Sequence, residues 1–371
     1  MYASIILPTY NERENLAACV EAVRTAMGAR KDWEIIVVDD DSPDRTWELA
    51  EQLGEQDPRV RLYRRIDRKG LSSAIVDGLA MAAGQRLLVT DADLQHDIAK
   101  IPDLLAALDT AEISVGSRYV GGGGISDWAA HRRFASRMAT RACHLLLHVR
   151  VTDPMSGFFA IRRGIFERLA PQLNPRGYKV LMELLHWHGK PERVAEVAYV
   201  FNPRRAGESK LSSGVIWDYG LSLLELASRR YISARFLKYG MVGASGVLVQ
   251  YLAFHLLWKH PFSQSVALAA AIATAAASNY LINNIWTFGD RRHRGARQLV
   301  TGALWFLAIS GSGAVINHAV SLDAKTWILA VTGLSDERAL DVAQLVGIGF
   351  ATAWNYLLNR SFTWSFQDKP E

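Results

Sequence analysis

Residues 86–96, RLLVTDADLQH, decide how the first half of the chain folds. An apolar run of strand-forming residues leads directly into two aspartates that one alanine separates. Three other short runs rich in β-branched residues precede it, with amphipathic stretches between them. This alternation is typical of an α/β domain with a mostly parallel sheet flanked by helices. The predicted strands are 3–7, 33–38, 59–63 and 86–90, and the predicted helices are 13–29, 44–56, 70–84 and 98–109.

Polar clusters with acidic residues follow three of these strands, at 8–12, 39–44 and 91–95. Ligands of open α/β sheets bind outside the carboxyl ends of the strands, so the clusters predict one site for a nucleotide and a divalent cation. No glycine-rich phosphate-binding motif follows a strand, which disfavours the Rossmann and P-loop folds. Alternate residues at a strand end face the same way. We therefore expect Asp91 and Asp93 to hold Mg²⁺ or Mn²⁺ against a diphosphate.

Charge is unevenly distributed over the 371 residues. Residues 1–235 hold 32 Lys+Arg and 30 Asp+Glu, whereas residues 236–371 hold only 10 and 7. A bilayer crossing needs about 20 mostly apolar residues. Runs without Asp, Glu, Lys or Arg cover 239–258, 260–289, 298–322 and 342–359. The composition excludes a disordered chain, a collagen-like chain and a fully soluble enzyme. It predicts a soluble domain followed by a membrane domain.

We expect the soluble domain over 1–212, an interfacial juxtamembrane helix at 213–235 and a membrane domain over 236–366. The alternative for 213–235 is a helix that packs in a core. The four predicted spans lie near 236–257, 264–288, 298–320 and 339–362. Basic residues cluster before the first span and between the second and third. The positive-inside rule then places both clusters, the soluble domain and both termini in the cytoplasm, since the N-terminal stretch does not resemble a signal peptide.

A ten-residue pattern, N-Y-L-x-N-x-x-[WF]-T-[FW], occurs at 279–288 and again at 355–364. Small residues at 243–246 and 311–314 recur in the preceding spans. The membrane half therefore resembles two copies of one helical hairpin, in which small residues allow close approach and asparagines bond between helices. A groove for lipid phosphate is the alternative role for these asparagines. The two cysteines, Cys19 and Cys143, are predicted to be buried free thiols.

The quoted residues resemble glycosyltransferase family 2 with the GT-A fold, and within it the dolichol-phosphate (polyprenol-phosphate) mannose synthase group. The matching stretches occur in the family's order and cover nearly all of residues 1–215. They are LPTYNERENL (7–16), VVDDDSPDRT (37–46), KGLSSA (69–74), DADLQH (91–96), GSRYVGGG (116–123), DPMSGFFAIRR (153–163), GYKVLMELL (177–185) and FNPRRAGESKL (201–211). Residues 236–366 resemble the GtrA-like membrane domain.

The resemblance implies roles at the matching positions. Nucleotide-sugar binding is implied for Pro8, Tyr10, Glu12, Asp39, Asp40, Asp91, Lys179 and Arg204. Metal binding is implied for Asp91, Asp93 and Gln95, lipid-phosphate binding for Arg118, Arg132 and Ser136, and direct catalysis for Asp93, Arg118 and Arg204. The adjacent Arg133 makes the assignment of Arg132 ambiguous by one position. Arg45 stands where the family usually has glycine.

The resemblance implies inverting transfer of mannose from GDP-mannose to a polyprenyl phosphate at the cytoplasmic membrane, with Mg²⁺ or Mn²⁺. A phosphate monoester is largely a dianion at pH 7, so the acceptor needs no general base and no obvious histidine base is expected. The alternatives are transfer of glucose from UDP-glucose or of aminoarabinose, a translocase for lipid-linked sugars, and a membrane half that only anchors. No Q-x-x-R-W motif occurs, which favours transfer of a single sugar. A homo-oligomer stays open, and no nucleic-acid partner is expected.

Overall fold

The computed structural model describes residues 1–66, 69–125, 130–174, 180–202, 213–258 and 263–365. The chain divides into two compact units, Met1–Arg230 and Tyr231–Glu371.

A seven-stranded sheet forms the centre of the first unit. Its strand order is β3-β2-β1-β4-β7-β5-β8, and β7 is antiparallel to both neighbours while all other pairs are parallel. The strands are β1 (Ala3–Thr9), β2 (Trp33–Asp39), β3 (Val60–Arg64), β4 (Arg86–Val89), β5 (Ile113–Ser117), β7 (Phe159–Arg162) and β8 (Val194–Ala198). A small second sheet pairs β6 (Gly124–Ile125) with β9 (Val200–Phe201). The predicted α/β class with a mostly parallel sheet is confirmed.

Helices cover both faces of the main sheet. Successive strand residues point to opposite faces, so Ile6 and Val38 pack with α3, α5 and α7, whereas Ile5 and Val37 pack with α1 and α4. Burial on both faces explains why these strands are apolar along their whole length. The helices are α1 (Arg13–Met27), α2 (Thr46–Gln56), α3 (Leu71–Met81), α4 (Ile101–Ala107), α5 (Ala130–Leu147), α6 (Arg163–Leu169) and α7 (Val180–His188).

Helix α8 (Ser213–Ala227) belongs to this first unit. Leu223 and Leu226 lie in its hydrophobic core, and the Tyr219 hydroxyl donates to the Ala139 carbonyl on α5 at 3.0 Å. This helix was predicted to be interfacial, with core packing as the alternative. The structure shows the core contacts, and an interfacial position for 213–235 stays a prediction.

The described residues of the second unit form four α-helices: α9 (Ala234–Trp258), α10 (Gln264–Ile282), α11 (Ala296–Thr332) and α12 (Asp336–Leu358). Within the part of the chain that the structure describes, three stretches are long and apolar enough to cross a membrane, and they begin at Ala234, Gln264 and Ala296. The fourth predicted span, α12, is not among them, and its first turn carries Asp336 and Glu337.

Helix α11 is longer than predicted. It has 37 residues, which at 1.5 Å each extends about 55 Å, whereas the predicted span was 298–320. Asp323 and Lys325 follow the third predicted span, where a loop to the fourth span was expected. They lie on α11 instead. The Lys325 ammonium pairs with Asp336 at 2.8 Å. Most of the charged residues between the third and fourth predicted spans therefore lie in helices. Charged side chains alone do not end a helix.

The ten-residue repeat is a repeat in structure. Helix α10 ends in a π-helical turn at Asn283–Thr287 and α12 ends in one at Asn359–Thr363, with the same offset as in the sequence. Phe288 and Trp364, which follow the two turns, stack with ring centroids 4.4 Å apart and planes 6° apart. The predicted duplication of a helical hairpin agrees with this arrangement.

Small residues allow the helices of each hairpin to approach closely. A Cβ atom at Gly246 would overlap the side chain of Asn279, and one at Gly313 would overlap that of Asn355. These contacts are related by the repeat and lie within the first and second hairpin respectively. Close helix approach at the small residues is thus confirmed.

One hydrogen bond breaks the symmetry of the two copies. Asn359 donates to the Tyr239 hydroxyl at 3.0 Å and accepts from the Thr363 hydroxyl at 2.6 Å. Its counterpart Asn283 has a buried carbonyl oxygen without a hydrogen-bond partner, as has the hydroxyl of Thr287. Phe306 takes the place of Tyr239: its ring is 5.7 Å from Tyr280, as that of Tyr239 is from Tyr356. Tyr239 of the first copy thus accepts from Asn359 of the second, whereas Phe306 of the second copy has no hydroxyl to offer to Asn283 of the first.

We expect Tyr239→Phe to destabilise the membrane unit by about 1 kcal/mol and Phe306→Tyr to stabilise it by a similar amount. The first change removes a buried hydrogen bond, and the second adds a hydroxyl at the position that corresponds to Tyr239, where we expect it to bond to Asn283 as Tyr239 does to Asn359. Thermal unfolding of both full-length variants in the same detergent measures the effect. Loss of stability in both variants would show that the symmetry does not extend to this hydrogen bond.

Candidate active site

The loops after β1 and β2 are joined at one edge of the sheet. Parallel pairing runs from Ala3 and Trp33 to Thr9 and Asp39, so both strands end at the same level. Beyond that level the backbone N–H groups of Asn11 and Glu12 donate to the hydroxyls of Ser42 and Thr46, each at 3.0 Å. These bonds fix the two loops against one another.

The end of β1 and the loop after it contain three predicted nucleotide-binding residues. Pro8 is buried within β1. The Tyr10 side chain is more than one-third exposed, and the Lys69 ammonium lies 5.4 Å from its ring centroid. Glu12 accepts a hydrogen bond from the Asn15 amide at 2.9 Å. Tyr10 is thus the residue of the three that presents most surface to a ligand.

Asp39 connects the loops after β1 and β2 through buried hydrogen bonds. It is fully buried, and its Oδ2 accepts from the hydroxyls of Thr9 at 2.8 Å and Ser42 at 2.7 Å. Its Oδ1 accepts from the Ser42 backbone N–H at 2.9 Å. The predicted contact of Asp39 with a nucleotide stays a prediction, since the observed bonds are all internal.

Asp40 belongs to a buried ion-pair network that the sequence did not reveal. Its Oδ1 accepts from the Arg65 guanidinium at 2.7 Å, and its Oδ2 from the Gly70 backbone N–H at 2.6 Å. Arg65 is nearly fully buried and also donates to Ser73 and Asp77. A buried charge needs such partners. An arginine two residues after the predicted strand 59–63 was the available signal, but the carboxylate that it pairs with lies 25 residues away.

Left-handed backbone conformations gather in these loops. Asn11, Asp41, Arg45 and Leu94 have φ values of 59°, 52°, 62° and 59°. Such conformations cost energy in residues other than glycine and often mark functional sites. The conformation at Arg45 is one that glycine adopts without strain, which agrees with the glycine that the resemblance places at this position.

The two aspartates of D-A-D lie on a loop and not on the strand. Strand β4 ends at Val89, so the expectation that alternate strand residues share one face does not apply. The Asp91 side chain is 40% exposed, whereas Asp93 is buried. The Asp93 Oδ1 accepts from the Gln95 backbone N–H at 3.1 Å, and the Gln95 amide donates to the Asn202 carbonyl at 3.3 Å.

Negative charge is concentrated around this loop. Burial, followed by the charges of Asp93, Asp91 and Glu12, raises the pKa of the Cys19 thiol to about 12. Cys19 and Cys143 are both buried and free, as predicted. The carboxylates of Asp91, Asp93 and Glu12 therefore favour the binding of a cation near these loops.

The carboxylates of Asp91 and Asp93 suit a divalent metal ion that also binds oxygen atoms of a substrate. Mg²⁺ is usually held by one or two carboxylates together with phosphate oxygens and water, and Asp91 and Asp93 supply carboxylates of this kind. Within the described ranges no three His, Cys, Asp or Glu side chains form a group that holds a metal by themselves. The residues therefore suit a metal completed by a diphosphate, and not a closed protein cage.

Arg118, predicted to contact phosphate, forms a buried ion pair. Its Nε and Nη2 donate to the two carboxylate oxygens of Asp153 at 2.6 and 2.8 Å, and its side chain is 9% exposed while that of Asp153 is fully buried. Ser136 shares a hydrogen bond of 2.8 Å with the Tyr119 hydroxyl, one residue after Arg118. Arg118 and Ser136 are thus close to one another, connected through Tyr119.

Three predicted phosphate-binding residues have no described side-chain position. Arg132 lies on α5, but its side chain is outside the described residues, and so is that of Arg133. Lys179 and Arg204 are outside the described ranges altogether. Their roles stay predictions.

Comparisons with known proteins agree with this architecture. The model of the family "Glycosyl transferase family 2" matches residues 4–170, and that of "GtrA/DPMS, transmembrane domain" matches residues 238–364. A dolichol-phosphate mannosyltransferase of Pyrococcus furiosus is 39% identical over 368 residues, which are 98% of this chain and all of the relative. The enzyme of that name from Mycosarcoma maydis is 37% identical over 268 residues, 69% of this chain and 87% of the relative.

A solved structure of glucosyl-3-phosphoglycerate synthase from Mycobacterium tuberculosis is more distantly similar. It matches 62% of this chain and 79% of its own, with 19% identity and a TM-score of 0.47. The match with the Pyrococcus relative, by contrast, extends through both units at a much higher identity. The chain therefore belongs to glycosyltransferase family 2, within it to the dolichol-phosphate mannosyltransferases, and its C-terminal part is a GtrA/DPMS transmembrane domain.

Proposed function

We propose that the protein transfers mannose from GDP-mannose to the phosphate of a dolichyl-type polyprenol, with inversion at the anomeric carbon. The observation that carries this proposal is the match, over nearly the full chain, with a relative named for that transfer. The acidic loop at the end of β4 supports it, because a nucleoside diphosphate leaving group needs a cation there. Transfer of another sugar and a purely translocating role have no comparable support.

The acceptor phosphate is itself the nucleophile. As a dianion it attacks the anomeric carbon without losing a proton to a base. His96 is the histidine next to the acidic loop, but it is nearly fully buried and its two ring nitrogens face the Tyr199 hydroxyl and the Asp91 carboxylate. It is therefore unsuited to act as a base on a lipid acceptor.

The donor lies across the joined loops in this proposal. Pro8, Tyr10 and Glu12 line the nucleotide pocket, and Asp39 and Asp40 shape it through their internal bonds. Asp91, Asp93 and Gln95 would hold Mg²⁺ or Mn²⁺. The metal, when bound, stabilises the negative charge that develops on the departing diphosphate.

Phosphate contacts fall to the cations, since arginine matches phosphate in a bidentate way. Arg132, Lys179 and Arg204 take this role in the proposal. Lipid-phosphate binding by Arg118 and Ser136 and a catalytic role for Arg118 stay part of the proposal, although the Arg118 guanidinium is nine-tenths buried in its pair with Asp153.

The protein is a membrane protein, and we propose that α12 crosses the membrane as a fourth span, so that the catalytic unit and both termini face the cytoplasm. Arg229, Arg230, Arg235 and Lys238 precede or begin the first apolar helix. Three arginines lie between α10 and α11, and a fourth, Arg297, lies in the first turn of α11. Such clusters stay on the cytoplasmic side. The water-soluble donor and the lipid acceptor then meet at the same membrane surface.

A panel of labelled nucleotide sugars tests the donor. With membranes that contain the full-length protein and dolichyl phosphate, GDP-mannose should give lipid-linked product at least about 100-fold faster than UDP-glucose, because the site must recognise both base and sugar by hydrogen bonds. Chromatography of the lipid extract measures the product. Product from UDP-glucose alone would refute the mannose assignment.

Asp91→Asn should lower the rate of mannose transfer by about 100-fold or more, because it removes an exposed carboxylate that would hold the metal. The matched control is Asp103→Asn, which changes an exposed carboxylate on α4 that pairs with Lys100. Initial rates with Mg²⁺ or Mn²⁺, and after chelation, measure the effect. Undiminished transfer by Asp91→Asn in the presence of chelator would remove this loop from catalysis.

A further inference from the structure

Behind Asp91 lies a chain of buried polar groups that no role above accounts for. His96 Nε2 is 3.3 Å from the Asp91 Oδ2, and His96 Nδ1 is 3.0 Å from the Tyr199 hydroxyl. His96 and Tyr199 are 4% and 1% exposed. An ionised carboxylate only accepts hydrogen bonds. The ring proton therefore sits on Nε2 towards Asp91, and Nδ1 accepts from the hydroxyl of Tyr199.

An aromatic box fixes the imidazole in this orientation. The ring of His96 stacks on Phe158 with centroids 5.2 Å apart and meets Phe201 edge-on at 5.5 Å. Tyr199 packs against both phenylalanines. In these apolar surroundings a ring nitrogen without a partner is unfavourable. The imidazole therefore favours the orientation in which both nitrogens are paired, and this orientation directs the N–H at Asp91.

The backbone leaves just enough room for this contact. A Cβ atom at Gly157 would lie 3.2 Å from the Asp91 Oδ2 and 3.3 Å from the His96 Nε2, which is tighter than ordinary contact. A glycine here lets the 153–158 segment pass directly behind the carboxylate and the imidazole.

A second tether connects the same two parts of the chain. The Asn202 backbone N–H donates to the Gln95 carbonyl at 2.8 Å, and the Gln95 amide donates back to the Asn202 carbonyl at 3.3 Å. The D-A-D loop is thus attached to segment 199–202 at Gln95 and, through His96, at Tyr199. These hydrogen bonds restrict the movement of the D-A-D loop on the side opposite the exposed Asp91 carboxylate.

We infer that His96 and Tyr199 are positioning residues that orient the Asp91 carboxylate towards a divalent cation, with Tyr199 acting through the imidazole. This inference rests on the proposed function, since it deepens the role given there to Asp91. Hydrogen-bonded partners of metal ligands commonly change metal affinity or activity by about 10- to 100-fold when they are removed.

The test uses the full-length protein in detergent and measures Mn²⁺ affinity without sugar donor, by the electron paramagnetic resonance signal of free Mn²⁺. Tyr199→Phe removes only the hydroxyl and keeps the ring in its box. It should weaken Mn²⁺ binding about 10-fold. In transfer assays it should raise the Mn²⁺ concentration for half-maximal rate by the same factor, while saturating Mn²⁺ restores most of kcat and the KM for GDP-mannose stays close to that of the wild type.

Tyr219→Phe is the matched control. It also removes a buried tyrosine hydroxyl that donates one hydrogen bond in the same unit, to Ala139 on α5, but it lies outside the acidic loops. It should lower thermal stability about as much as Tyr199→Phe and leave Mn²⁺ affinity unchanged. A second pair tests His96: His96→Gln retains an N–H donor and should bind Mn²⁺ more tightly than His96→Leu.

The outcomes separate this inference from the proposed function. Wild-type Mn²⁺ affinity in Tyr199→Phe, or equal loss in Tyr199→Phe and Tyr219→Phe, would overturn the positioning role, even with mannose transfer intact. Mannose transfer that needs no metal would overturn it as well. Weaker Mn²⁺ binding in Tyr199→Phe, together with a wild-type protein that transfers no mannose from any acceptor tested, would support the positioning role and refute the proposed function.

Discussion

Mutual repulsion of carboxylates is the constraint on which the catalytic unit depends. Parallel strands bring several acidic side chains to one edge of the sheet, where like charges disfavour each other. Two buried arginines offset part of this charge, Arg65 beside Asp40 and Arg118 beside Asp153. Asp39 is held by hydroxyls and a backbone N–H instead. The Asp91 side chain is 40% exposed, so a cation can approach its carboxylate from solvent.

The fold of the first unit was largely predictable from sequence because its strands are buried on both faces. Continuous apolar runs such as β1 and β2 leave little ambiguity. The antiparallel strand β7 was not predicted, since Phe159–Arg162 is short and its pairing is non-local. Pairing partners across a sheet depend on the whole topology, which no local pattern contains.

The candidate site was predictable as a set of loops but not as a set of contacts. Residues 8–12, 39–44 and 91–95 do follow strands that end at one edge. The orientation of Asp91 and Asp93 was argued from strand geometry, and it failed because β4 ends at Val89. Arg65 was missed because ion pairs between distant segments leave no sequence pattern. The end of the third apolar helix was missed for a related reason, since charged residues continue a long helix as readily as they end one.

The unequal pair Tyr239 and Phe306 has a consequence for how such a bundle can be built. Two identical hairpins that associate as separate chains must carry the same residue at both positions, so every gain or loss in one copy is imposed on the other. Joining the copies in one polypeptide removes that restriction. Each half is then free to specialise, one turn keeping a satisfied asparagine and the other an unsatisfied one. Fusion of the repeats thereby permits an asymmetric interior within a nearly symmetric frame.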